Sequence, residues 1–166
     1  MTSNVKPTRM STPSQISGFL AKYTPEIAAQ LQSARQQLAA HFPRGFDLVY
    51  DNYNALVFGF ASSERASDVV VSVAGYPKWA TLFFLHGAKL NDPMQVLEGS
   101  GTRVRSVRLQ PFVMLQEPAV QALILAAKLA ASSALDAAPP LSTVIKSVSP
   151  KQRERRPPEE KKSRPL

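Results

Sequence analysis

Two glycines and three arginines crowd the stretch LEGSGTRVRSVRL (97–109), a composition that could cradle a phosphate or line an anion site. Phosphate loops run from a strand through a glycine-rich turn into a helix, whose free N–H groups face the anion. Here the pattern predicts the reverse order: a helical turn opened by Asp92-Pro93 and ended by Gly99, then a strand. No Lys-Ser or Lys-Thr pair follows the glycines, and G-x-G-x-x-G is missing. Gly99 is therefore expected to take a left-handed conformation past the turn, and Gly101 to let the chain enter the strand tightly. Arg103 and Arg105 share parity with Val107 and Leu109, so a regular strand puts Arg105 on the face that buries those apolar side chains. Unless a bulge between Val104 and Val107 re-aims it, that guanidinium needs a carboxylate, carbonyls or an incoming anion. Asp47, Asp51, Asp68 and Glu98 are the acids available for internal pairing. As a ligand contact Arg105 comes first, joined by Arg103, Arg108, Trp79, Tyr53 and Phe83 in an expected cleft or pairing surface.

Catalytic constellations are harder to find. Only two histidines exist: His41 falls in the last turn of an expected helix, where the dipole favours it, and His86 ends an expected strand beside Gly87. Neither sits in a triad or a metal-ligand spacing. Asp47 and Asp51 share a strand face, but four residues part them by about 13 Å, too far to grip one proton or one ion. The chain has no cysteine, which removes disulfides, zinc knuckles and thiol nucleophiles together. The expectation is a non-enzymatic binding module with no cofactor.

Charge narrows the partners. Of the net +8, residues 1–13 carry +2 through Lys6 and Arg9, and residues 146–166 carry +5 from eight bases and three acids. The body between is left with +1. Polyanion affinity is therefore expected at the C-terminus, through Lys151, Arg153, Arg155, Arg156, Lys161, Lys162 and Arg164, as weak, salt-sensitive attraction. No aromatic residue interleaves with these bases, so base stacking is not expected. MTSNVKPTRMSTPS has no apolar h-region, and Lys128 interrupts the best apolar run, so a cytoplasmic location away from membranes is expected.

These residues must be positioned by an α+β framework. Ser14 is expected to cap a short helix burying Ile16, Phe19 and Leu20. Thr24-Pro25-Glu26 then starts a helix to about Phe42, with Ile27, Leu31, Ala34 and Leu38 as its core stripe. Strands follow at 46–51, 55–61, 68–74 and 78–86, the turn Gly75-Tyr76-Pro77 between the last two, and the arginine stretch makes a fifth. Short connections predict an antiparallel meander. Glu117-Pro118 opens the last helix, and Pro139-Pro140 closes the domain. The expected order is N-terminal helices, a five-stranded antiparallel meander sheet and a C-terminal helix in two layers. Residues 1–13 form a disordered lead, 14–140 the domain, and 141–166 a basic, mostly disordered tail. Within that tail STVIKSVS (142–149) alternates like an edge strand that could join this sheet or a partner's. The central strands are apolar at both parities, so the sheet's second face is expected to be covered too, by its own curl, the C-terminal segment or a second subunit.

FDLVYDNYNALVFGF, SSERASD, VAGYPKWATLFFLHG, LNDP, LEGSGTRVRSVRL and IKSVSPKQRERRP together resemble the bacterial YdhG-like family, a family of unknown function that includes a frataxin-like iron chaperone of bacilli. The resemblance covers about Phe46 to Leu135, and a similar basic ending occurs in some members. It implies a secretion-chaperone-like α+β fold. It also raises iron delivery as an alternative function. Frataxins hold iron on an acidic ridge, mainly on a helix, whereas the helix at 24–42 offers one acid, Glu26, with Arg35 and Arg44 nearby. The partners left open are an unknown protein or small ligand, a second copy of the chain, and nucleic acid at the tail.

Overall fold

A computed structural model describes residues 10–158. Helix α1 (Thr12–Leu20) is capped by Ser11, whose hydroxyl accepts the Ser14 N–H at 3.3 Å. The cap thus lies three residues before the one expected, because Pro13 fits the first helical turn and Ser11 already supplies the oxygen. Helix α2 (Pro25–His41) starts as its sequence predicts: Thr24 accepts the Ile27 N–H, Pro25 lies in the first turn, and Glu26 faces the dipole. Its stripe of Ile27, Leu31, Ala34 and Leu38 is buried. At Gly45 the chain turns with φ +113°, and a Cβ there would lie 2.2 Å from the Ala61 carbonyl oxygen, so only glycine fits.

Five strands follow as an antiparallel meander: β1 (Phe46–Asp51), β2 (Leu56–Ala61), β3 (Val69–Gly75), β4 (Ala80–Phe84) and β5 (Arg105–Leu109). Helices α3 (Pro118–Ala130) and α4 (Ser132–Asp136) return the chain across one face. A sixth strand, β6 (Ser142–Val148), then pairs in parallel with β1, giving the order β5-β4-β3-β2-β1-β6. The five-strand expectation is corrected here. A crossover through helices returns the chain in the direction of β1, so the new edge must be parallel.

Register divides the sheet into two faces. Val49, Phe58, Val73, Leu82 and Val107 pair across the strands on one face, beneath all four helices and in one core. Leu48, Gly59, Ser72, Phe83 and Ser106 pair on the other. An extra residue at Val70, where Phe60 faces Val71 and Ala61 faces Val69, turns its side chain into the core.

Two further expectations are corrected. No helical turn forms at Asp92-Pro93. Instead the Asp92 carboxylate accepts the N–H groups of Val96 and Leu97 at 3.0 and 2.9 Å, a side-chain alternative to helix. Glu98 then exchanges two backbone bonds with Ser106, and Gly99 takes φ +124° in the turn that follows. Nor is the segment after β6 a free tail: residues 149–158 lie against the domain. Residues 1–9 and 159–166 of the expected lead and tail fall outside the described residues, while 11–13 belong to the start of α1. Among the described residues no helix is long and apolar enough to cross a membrane.

Candidate functional site

One end of the sheet carries the β1–β2 turn, the β3–β4 turn and the end of β5. Residues 149–158 strap across it. Past β6 the Ser149 N–H donates to the Asp51 carbonyl and the Arg153 N–H to the Tyr53 carbonyl, both at 2.8 Å. At the centre sits Asp51, fully buried at the end of β1. Its Oδ2 takes Lys22 Nζ at 2.7 Å and its Oδ1 takes Arg155 Nη2 at 3.0 Å. Arg155 also donates to the carbonyls of Asn52 and Tyr53 and lies 5.9 Å from the Tyr23 ring centroid. The Tyr23 hydroxyl donates to the Gly75 carbonyl at 2.7 Å and accepts the Leu56 N–H at 3.0 Å, tying α1 to both hairpins. Arg156 donates to the carbonyls of Ala21 and Lys22 beyond α1.

The strap therefore splits the expected row of tail contacts. Arg155, 4% exposed, is spent on Asp51 and two carbonyls, and it does not reach a polyanion. A burial this deep is tolerable because the carboxylate compensates the charge. Lys151, Arg153 and Arg156 are exposed. Lys161, Lys162 and Arg164 lie outside the described residues.

Next to the strap the structure assembles what the sequence keeps apart. Pro77 and Lys78 occupy the centre of the β3–β4 turn, closed by the Tyr76 N–H on the Trp79 carbonyl at 2.8 Å. That turn sets the Tyr76 and Trp79 rings 5.8 Å apart at 30°. From β5, Arg108 lays its guanidinium 4.1 Å from the Trp79 centroid. From the strap, Arg153 lies 5.6 Å from the centroid of Tyr53, whose ring is half-exposed on the β1–β2 turn. Among the described residues neither guanidinium meets a carboxylate. A groove of about 500 Å³ takes one member of each pair, Trp79 and Arg153, into its lining, together with Asn54, Tyr76, Pro77 and Glu154. A second groove of similar size continues it past Lys78, Arg156 and Pro157, sharing Trp79, Arg153 and Glu154. Along the chain no aromatic residue interleaves with the tail bases, but the fold brings rings beside them. Rings from two turns meet arginines from the strap and from β5, and linear sequence cannot show that neighbourhood.

The other expected ligand contacts lie elsewhere. Arg105 does share the core-side face with Val107 and Leu109, with no bulge between, but it starts β5 at the opposite end of the sheet. Its Nη1 donates to the carbonyls of Gly101 and Val104 at 2.6 and 2.9 Å. None of the four acids expected to pair with it does: Asp47 holds Arg35, Asp51 holds Lys22 and Arg155, and Asp68 holds Arg65. Arg103 is exposed in the turn beside it, where Gly101 also lies. Phe83 stands half-buried on the outer sheet face, about 13 Å along β4 from Trp79. Arg103 and Arg105 line a separate pocket of about 410 Å³ with Gly99 and Gly101, while Trp79, Tyr53 and Arg108 are gathered at the strapped end. Tyr76 and Arg153 complete the group. The sequence signal for Tyr76 is its place two residues before the turn lysine and three before Trp79; Arg153 is already expected as a polyanion contact, but nothing in the sequence places it beside a ring.

The outer face has no helix over it. Leu48, Ala61 and Ala74 are buried there by the sheet's own side chains, while Phe46, Tyr50, Val57 and Phe83 stay half-exposed. The C-terminal segment joins the edge and the end of the sheet rather than covering this face. His41 faces the Gln121 side chain at 3.0 Å, and His86 is exposed. Among the described residues no three His, Asp or Glu side chains converge as a metal site would require.

Compared with family models, with curated proteins and with solved structures, the chain matches none.

Proposed function

We propose that the protein is a non-enzymatic binding module whose working surface is the strapped end of the sheet, and that it takes ligands combining a planar ring with a negative charge. The observation that carries this is the pair of cation–ring stacks, Arg108 on Trp79 and Arg153 on Tyr53, each giving one member, Trp79 and Arg153, to the lining of one open groove. An arginine stacked on a ring is held flat while its N–H groups stay free for an anion. A ring entering the groove gains a face, and its anionic group gains a guanidinium. Membership in the YdhG-like family and a secretion-chaperone-like fold belong to the same reading, supported by two helices followed by a five-strand meander. Iron delivery gains no support, since among the described residues the oxygen ligands it needs do not converge.

Trp79 is the sole tryptophan, so its fluorescence reports the groove directly. Titration with adenosine monophosphate should quench it at lower concentration than adenosine or inorganic phosphate alone. Equal or absent responses to all three remove the reading.

A further inference from the structure

Resting on that proposed site, we infer that its ligand is single-stranded nucleic acid. Three features of the surface select this class. The two grooves are contiguous and share Trp79 and Arg153, so a ligand that repeats the ring-plus-anion unit occupies both, whereas a lone nucleotide fills one. Among the described residues that line the grooves, the cations Lys78, Arg153 and Arg156 stand against Glu154, and Arg108 lies against the Trp79 ring beside them. And Tyr76 and Trp79 bring rings into the grooves from the β3–β4 turn, with the half-exposed Tyr53 ring beside Arg153 on the adjacent turn, so the surface offers bases aromatic faces.

The rings also reject two competitors. A duplex presents phosphates but keeps its base faces inside the stack, leaving the rings unused. An acidic peptide satisfies the cations and likewise leaves three aromatic side chains idle. Stacking on aromatic rings tolerates every base, because each has a π-face, so the site reads strandedness rather than sequence. Three phosphate contacts, at Lys78, Arg108 and Arg153, predict a log–log salt slope near −2, from about 0.7 counterions released per contact on single strands.

The arrangement further assigns the strap a purpose. Arg155 on Asp51 and Arg156 on the α1 carbonyls pin the segment, and the pinned backbone sets Arg153 over Tyr53. A free tail would bring charge to nucleic acid without building a groove.

The test uses the full chain and a fluorescein-labelled oligothymidylate, read by anisotropy and by Trp79 quenching at several salt concentrations. The strand should bind and quench Trp79, with unlabelled duplex DNA, heparin and polyglutamate each competing at least about tenfold more weakly. Arg108→Gln and Arg153→Gln, both at exposed positions, should each weaken binding about tenfold and flatten the salt slope by about one. Trp79→Phe keeps a ring and should retain most of the anisotropy change; Trp79→Ala should not. Competition by duplex, heparin or polyglutamate equal to that by the strand overturns the assignment. If adenosine monophosphate quenches Trp79 but the strand gains nothing over it, the single-strand class fails and the ring-and-anion site stands. If neither quenches, both fall.

Discussion

Asp47 shows how one buried carboxyl is set by its surroundings. Its Oδ2 accepts Arg35 Nε at 2.8 Å and the Thr143 hydroxyl at 3.4 Å, while Oδ1 is buried with no partner among the described residues. Burial raises its pKa above the ordinary 3.8, against the opposing pull of Arg35 and Thr143. The folded state thus holds this proton at pH values where the unfolded chain has released it. Between 3.8 and the raised value, Asp47 makes stability fall as pH rises and recover as pH falls. Asp68 behaves oppositely: bonds from Ser63 and Arg65 lower its pKa, so its contribution is present above 3.8 and lost as pH falls through the depressed value. Carboxyl-carbon NMR titration should place Asp47 above 3.8 and Asp68 below it; Asp47 at or below 3.8 refutes the account. The sequence already said that Asp47 and Asp51 stand too far apart to share an ion. It did not say that each would find cations of its own, because Arg35, Lys22 and Arg155 arrive from other elements.

At the scale of elements the decisive piece is the segment after β6. The alternation in STVIKSVS marked a strand, and it became one. KQRERRPP by itself predicts a solvated tail, because composition does not distinguish a buried arginine from an exposed one. Arg155 finds its carboxylate 104 positions away, and only the crossover through α3 and α4 brings β6 beside β1 to make that meeting possible. Arg155→Ala should therefore destabilise the fold by about 3 kcal/mol, the low end for breaking a buried pair, since Lys22 still faces Asp51. Urea denaturation measures this, and the double change Asp51→Asn with Arg155→Met should recover most of the loss. A loss of only a few tenths would mean that the strap is not packed as described. A consequence reaches the charge ledger: residues 159–166 hold three bases and two acids, a net +1, so most of the C-terminal charge lies in residues 146–158, strand and strap. Cutting the chain at residue 146 would remove the last three residues of β6 and the strap as well as charge, and so does not isolate the electrostatic term.

For the whole molecule, the governing fact is that four helices cover one face of a six-stranded sheet and none covers the other. Adjacent phenylalanines in β4 measure the asymmetry. Phe84 is fully buried under the helices, and Phe84→Ala should cost about 3–5 kcal/mol. Phe83 points to the outer face, keeps much of its water, and should cost less than half as much in the same denaturation assay. Equal losses would mean that the outer face is covered after all. Local pattern was enough for the helix stripes, the caps at Thr24 and Pro25, the meander order and the α+β class, because those follow from periodicity and short connections between neighbours in the chain. Which apolar strand face would find a cover, which arginine would be buried, and which rings would meet which cations were decided by the fold. Those are contacts between residues tens of positions apart, and a side chain's surroundings there depend on where the backbone brings it rather than on what stands next to it in the chain.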